Sequence, residues 1–272
     1  MSELLQIAFI DDNFSVDNSN NYQLLISEER LRHQMAIVTA DNQLLLLLSW
    51  KKGANEARVN QLLGLTYQSK KIAIDNKNII LIPSDLYDSS QESHYFNMLA
   101  LDQDDHILLT DSLADLAIYN VYPLAKKDST TINQNFPEFH FLSRNTSILS
   151  ALQKLEPSST YLSVNSSDAG FTDFTYITEG KLRYHQTQPS EHADEFNYFL
   201  LAIAEELAFD FSNTPIFVSG TAQEGHPYYD RLTKYSKHVQ TLALSNLITC
   251  SHDDVHQRMH QQLPLFGLLC VS

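Results

Sequence analysis

Three strand signals follow one another between residues 161 and 187, and the clearest helix of the chain comes directly after them. Residues 161–164 read as a strand and 165–170 as a turn. Residues 171–178 read as the next strand, Glu179-Gly180 as a tight turn, and 182–187 as a third strand. Residues 191–209 then place Phe196, Phe199, Leu200, Ile203 and Leu207 on one helical face. Ser190 stands where a cap would, and Glu191, Asp194 and Glu195 suit the positive end of the helix dipole. A strand over 216–218 ends at Ser219-Gly220, followed by a helix over 228–237 and a strand over 239–244. Strand, strand, strand, helix, strand, helix, strand predicts an α/β unit: a mixed sheet flanked by helices.

The first half opens in the same way. Apolar runs at 4–10, 22–26, 35–38 and 43–50 are bounded by Asp and Asn, the pattern of buried strands. A modest helix is expected over 54–63, with Val59, Leu62 and Leu63 on one side. Residues 72–74 and 79–82 flank Asp75-Asn76-Lys77-Asn78 as a hairpin would. A helix over 146–155 leads to Pro157-Ser158-Ser159, where the chain is expected to change lobe. The expected division is therefore 1–156 and 157–272, and 272 residues with 43% hydrophobic composition suffice for two cores.

Charge and composition exclude several classes. A formal net charge of -15, with basic residues clustered only in pairs such as Lys51-Lys52, opposes nucleic-acid binding, which rests on Lys and Arg neutralising phosphates. The longest apolar run, 44–48, is far short of the ~20 residues of a membrane helix. The opening Met1-Ser2-Glu3 lacks a basic segment before an apolar one, so no signal peptide is expected and the cytoplasm is the default compartment. Cys250 and Cys270 make neither a disulfide framework nor a zinc knuckle.

The two openings together resemble the tandem ribonuclease-H-like lobes of the actin, hexokinase and heat-shock chaperone superfamily. More narrowly, the chain resembles a bacterial family, domain of unknown function 3822, with an actin-like ATPase fold. The resemblance is carried by residues 5–10, the strand ending at 79–83, residues 140–149 and 174–184, and Phe217-Val218-Ser219-Gly220. It implies two lobes with nucleotide phosphates held by a glycine-containing hairpin in each. Each hairpin carries an Asp at the end of its first strand and a Gly two residues on, the Asp orienting magnesium or water and the Gly admitting a phosphate to backbone N–H groups.

In the first half the matching positions are Asp11, Asp12 and Asn13, where Asn stands for Gly. In the second half Asn165 follows the expected strand, and Asp168-Ala169-Gly170 has the right letters three residues late. Asp, Asn, Ser and Gly are also what ordinary turns require, and that is the plainer reading of both. The superfamily cradles adenosine on a strand ending in Gly-Gly; here Gly220 is followed by Thr221, and a strand-to-helix turn is the plainer reading of it. Gly220 and Gly225 imitate P-loop spacing, but His226-Pro227 replaces the Lys-Ser/Thr pair that would hold phosphate and magnesium. Seven glycines, against ~19 at average usage, are few for a protein that wraps phosphates in backbone.

His252, His256 and His260 are four apart and on a helix would share a face that could bind zinc; the surrounding Gln257, Arg258, Gln261 and Gln262 read instead as a polar surface helix, and no metal is expected. No G-x-S-x-G motif occurs, and Asp104-Asp105 and Glu205-Glu206 read as solvated pairs. The expectation is a non-catalytic binding or assembly protein with a protein partner, no cofactor and a degenerate nucleotide site. The alternative is a Mg-ATP-dependent phosphotransferase or ATPase using Asp11, Asn13, Asp168, Gly170 and Gly220. A ribonuclease-H-type nuclease is a distant third, opposed by the charge.

Overall fold

The computed structural model describes residues 4–271. Two compact units emerge: the chain up to Gln153 with Leu247–His256 and Pro264–Ser272, and Lys154–Asn246 with Gln257–Leu263.

In the first unit the strands are β1 (Leu5–Ile10), β2 (Tyr22–Glu28), β3 (Arg32–Thr39) and β4 (Leu44–Lys51). Helix α1 (Ala57–Leu63) leads to β5 (Ser69–Ile74), β6 (Ile80–Pro83) and helix α2 (Glu92–Met98). Then come β7 (His106–Leu113), β8 (Ile118–Ala125), α3 (Lys126–Asn135), β9 (His140–Ser143) and the start of α4 (Arg144–Leu155). The main sheet runs β1-β4-β3-β2-β5-β9. Strands β2, β3 and β4 pair antiparallel, and β5 and β9 extend the sheet in parallel from β2. The Leu run at 44–48 is buried on both faces, as an unbroken apolar stretch demands. Leu24, Ile26, Met35, Ile37 and Leu46 join Val59 and Leu62 of α1 in one core.

One first-half expectation changes. Ile72-Ala73-Ile74 and residues 79–82 do not form a hairpin: β5 lies between β2 and β9, whereas β6 pairs with β8 in a separate three-stranded sheet, β6-β8-β7. A polar four-residue link permits a turn but does not oblige the flanking strands to pair. The polar stretch 128–135 belongs to α3, with Ile132 turned into the core.

The second unit holds β10 (Tyr161–Ser167), β11 (Phe171–Thr178), β12 (Lys181–Pro189), α5 (Ala193–Glu206), β13 (Ile216–Gly220), α6 (Pro227–Tyr235) and β14 (Val239–Thr241). The three strands expected between 161 and 187 are consecutive antiparallel neighbours, and the sheet runs β12-β11-β10-β13-β14. This is the order of β4-β3-β2-β5-β9, so each unit carries the ribonuclease-H-like pattern, and the first adds β1 at its edge and the three-stranded insertion. Phe196 of α5 is fully buried, stacked on Phe174 with ring centres 5.6 Å apart and on Tyr228 of α6 at 4.5 Å. Phe199 is only half-buried at the edge of that core. Ser190 does not cap α5: it is buried, its hydroxyl 2.7 Å from that of Thr172, and the helix begins at Ala193.

Among the described residues no helix is long and apolar enough to cross a membrane.

Candidate functional site

The hairpin joining the first two strands of each repeated sheet is where the resemblance places a phosphate loop. In the first unit this hairpin is β2–β3, and its tip is Glu29-Arg30-Leu31. The Glu29 N–H donates to the Arg32 carbonyl at 2.9 Å, closing a tight turn around Arg30 and Leu31. Leu31 is 68% exposed. The turn contains no glycine, and two carboxylates, Glu28 and Glu29, begin it; Glu28 pairs with Lys52 at 2.6 Å and Glu29 accepts from the Gln34 amide.

Asp11 and Asn13 therefore lie elsewhere than on that hairpin. They follow β1, the added edge strand, which pairs only with β4. Asp11 is buried. Its Oδ1 accepts the backbone N–H and side-chain amide of Asn13, both at 2.9 Å, and its Oδ2 accepts the Ser251 hydroxyl at 2.6 Å. The hydroxyl and the Asn13 N–H hold this carboxyl below the usual carboxylate range. Asp11 thus fastens the returning C-terminal segment, where Thr249 bridges Gln43 beside β4.

In the second unit β10 runs on through Asn165, Ser166 and Ser167, three polar residues paired with both β11 and, for the first two, β13. Asp168-Ala169-Gly170 is consequently the hairpin turn itself, not a turn three residues late. The Gly170 N–H donates to the Ser167 carbonyl at 3.3 Å, and its φ of 75° is the left-handed conformation. A Cβ on Gly170 would meet the Glu191 Cγ at 3.0 Å. Glu195 accepts the Glu191 N–H at 2.8 Å, so Asp168, Glu191 and Glu195 put three carboxylates around this turn. His226, which caps α6 by accepting the Tyr228 N–H, feels the Asp168 and Asp230 charges, but burial outweighs them and holds its imidazole below its ordinary pKa.

Gly220 ends β13 with φ 71°. A Cβ there would collide with the backbone carbonyl of its β10 neighbour Ser166, which also accepts the Thr221 N–H at 3.0 Å. The Ser166 and Thr221 hydroxyls are 2.9 Å apart. The missing side chain thus serves a strand-to-strand approach.

The three histidines do not share a helical face. The helix over Asp253–Arg258 (α7) gives way to a 3-10 turn at Met259–Gln262. His252 is exposed against the Phe9 ring, whereas His260 is buried with Nδ1 2.9 Å from the Gln257 carbonyl. Among the described residues no group of three or more His, Cys, Asp or Glu is placed to hold a metal ion.

A feature absent from the sequence reading is a buried polar knot in the first unit. Asp111 of β7 accepts from the Tyr122 hydroxyl (3.0 Å), the Ser143 N–H (2.8 Å) and the Thr146 hydroxyl (2.7 Å). Asn120 donates to Thr146, and Asn76 accepts from Ser143. Burial raises the Asp111 pKa against the pull of those donors and of the His140 charge. It forms part of the wall of a cavity of about 330 Å³, with His140, Ser150, Gln153 and Cys270 among the other lining residues. The available signal was an acid at an inward position of the alternating run Ile107, Leu109, Asp111, Leu113.

A family model described as a protein of unknown function (DUF3822) matches residues 11–239. None of the curated proteins matches the chain in sequence. Among solved structures, a Bacteroides thetaiotaomicron VPI-5482 protein with actin-like ATPase fold and unknown function is similar over 95% of this chain and 99% of its own, at 16% identity and a TM-score of 0.75. A PilM–PilN type IV pilus biogenesis complex is similar over 92% of this chain and 98% of that one, at 11% identity and a TM-score of 0.57. Both likenesses are of fold.

Proposed function

Since the chain belongs to the DUF3822 family and has an actin-like ATPase fold, we propose that it is a non-catalytic binding or assembly protein whose nucleotide site has degenerated. The observation that supports this most directly concerns the two glycines at the implied phosphate and adenosine positions. The open side of Gly170 is taken by Glu191 and that of Gly220 by the Ser166 carbonyl. Neither leaves its backbone bare for a phosphate, and the Gly170 turn is ringed by carboxylates. The corresponding hairpin of the first unit has no glycine at all and begins with two glutamates. A polyphosphate arriving at either hairpin meets like charge and lacks N–H groups in an open nest. The PilM–PilN neighbour is, by its description, a pilus biogenesis complex, which is in keeping with an actin-like fold used for assembly.

The competing reading, a Mg-ATP-dependent phosphotransferase or ATPase, draws support from one observation: Asp168 and Gly170 occupy the hairpin turn of the second unit, with Gly170 left-handed. In that reading Asp168 orients the metal, and Asp11 and Asn13 are left out because they lie off the repeated hairpin, Asp11 accepting from Ser251 and Asn13 donating to Asp11.

Thermal denaturation with millimolar Mg-ATP separates the two. A ligand at a hundred times its Kd stabilises the folded state by about 2.7 kcal/mol, so micromolar binding gives a plain rise in Tm. We expect none. A rise with Mg-ATP that magnesium alone does not give, and that Asp168→Ala abolishes, would replace the binding reading with the enzymatic one.

A further inference from the structure

The insertion between β5 and β9 differs from the rest of the chain in charge and surface. Between Lys77 and Lys126 there is no Lys or Arg and there are eight Asp or Glu residues. All but one, the buried Asp111, are exposed. Amid them lie two of the most exposed apolar side chains of the first unit, Leu86 at 70% and Met98 at 56%. Between these two residues in the chain come Tyr87 and Tyr95, whose rings are stacked 5.9 Å apart; Tyr87 also lies 4.1 Å from Tyr119. Met98 is one helical turn beyond Tyr95 on α2. Just past it an open pocket of about 530 Å³ is lined by Leu101, Asp102 and Asp104. Lys126, at the end of the insertion, engages the Gln103 and Asp104 backbone carbonyls, and the Asp102 carboxylate accepts the Asp104 N–H at 2.8 Å.

Exposed Leu and Met beside a tyrosine stack are surface that water hydrates poorly. The small apolar core beneath, built on Ile82, Tyr95 and Val121, does not need them. The surrounding acids select what can cover them. A second copy of this chain brings the same negative charge, at a net -15 per molecule, and nucleic acid and anionic lipid are repelled likewise. A segment with Leu- or Ile-type side chains on one side and Lys or Arg on the other satisfies both parts, its cations reaching the exposed carboxylates beside the half-buried Tyr87 and Tyr119 rings.

We propose that this insertion is a docking surface for a basic, amphipathic protein segment, with Leu86 and Met98 as the apolar contacts and the pocket acids Asp102 and Asp104 as the partners of its cations. The proposal deepens the binding reading given above. Its test is separate, because a peptide titration reads this surface whether or not Mg-ATP shifts the Tm.

The probe is a fluorescent Leu/Lys peptide that forms an amphipathic helix, titrated into the full chain beside a scrambled peptide of the same composition without an apolar face. The ordered peptide is expected to bind at least about tenfold more tightly than the scrambled one. Leu86→Ser with Met98→Ser should remove that margin while leaving the Tm unchanged, since both side chains face solvent. Asp102→Lys with Asp104→Lys should weaken the ordered peptide further than Glu205→Lys with Glu206→Lys, an equal change of charge in the second unit. An affinity that Leu86→Ser with Met98→Ser leaves within about twofold, or that the two charge variants weaken equally, would overturn the proposal. So would a dimer in sedimentation that dissociates on Leu86→Ser with Met98→Ser, which would make a second copy the occupant.

Discussion

The Asp11 carboxylate accepts the Ser251 hydroxyl at 2.6 Å, across 240 positions of sequence. Asp11 directly follows the edge strand, and Ser251 belongs to the C-terminal return that lies alongside Gln43. Ser251→Ala should destabilise the protein by about 1.5–3 kcal/mol, the range for a hydrogen bond to a charged group. The Asp11 pKa is depressed in the folded state, chiefly by that hydroxyl and then by the Asn13 N–H. Its contribution is therefore present above the unfolded carboxylate pKa of about 4 and is lost as pH falls through the lower folded value. The gap between wild type and Ser251→Ala in urea denaturation should shrink as the solution is acidified below that range. A gap that stays constant with pH would remove Asp11 from the interaction.

His33 of β3 is buried between Trp50, at 4.9 Å, and Phe136, at 5.2 Å. Burial, and then the Lys52 charge, lowers its pKa to about 4. The unfolded chain, with an ordinary histidine near 6.5, binds a proton first as pH falls. Stability should therefore decline between about pH 6.5 and pH 4, by roughly 3 kcal/mol at most, with attraction of the cation to the Trp50 face offsetting part of it. His33→Phe should flatten that part of the stability-pH curve. An unchanged slope would assign the acid sensitivity to other groups.

Phe196→Ala should cost about 3–5 kcal/mol, because the ring is fully enclosed between Phe174 and Tyr228. Phe199→Ala, at the half-buried rim of the same core, should cost less, about 1–2 kcal/mol. Equal losses in guanidinium denaturation would contradict the assigned face of α5.

Gly180 and Gly220 share a φ of 71° but differ in surroundings. Nothing lies within 4 Å of a Cβ on Gly180, whereas one on Gly220 collides with the Ser166 backbone. Gly180→Ala should cost about 1–2 kcal/mol from the left-handed conformation alone. Gly220→Ala should exceed it clearly and also spoil the pairing of β10 with β13. Hydrogen exchange at Ser219 and Thr221, whose N–H groups face β10, would report that loss; similar Tm values for the two variants would disprove the close approach.

Much of the second unit is legible in the sequence, because its strands are separated by turn residues and its long helix carries an uninterrupted apolar stripe. Tyr161, Phe174 and Phe196 fall where alternation and helical spacing put them. The end of β10 is not legible. Asn165, Ser166 and Ser167 look like a turn, yet all three pair with β11 and the first two also with β13, and the Asn165 amide meets the Asp173 carboxylate at 2.8 Å and the Ser219 hydroxyl at 2.9 Å. Hydropathy treats a polar residue as exposed and cannot register a partner 54 positions away that makes burial tolerable. Those three residues decide whether Asp168 stands on the hairpin or beyond it.

The sequence by itself determined the α/β class, the order of strands and helices in the second unit, and the scarcity of glycine that bears on any phosphate site. All of these depend on local spacing and composition. Tertiary structure alone decided which strand of the first half begins the repeated sheet, because β1 and β2 are both apolar runs and only pairing distinguishes an edge addition from a core strand. It also decided that residues 247–256 return to the first unit and engage Asp11, and that β5 and β6 part into different sheets. Hydrogen bonding between strands and burial of a rare polar group are long-range choices among several locally acceptable partners, and the free-energy differences that settle them arise only when the whole core is packed.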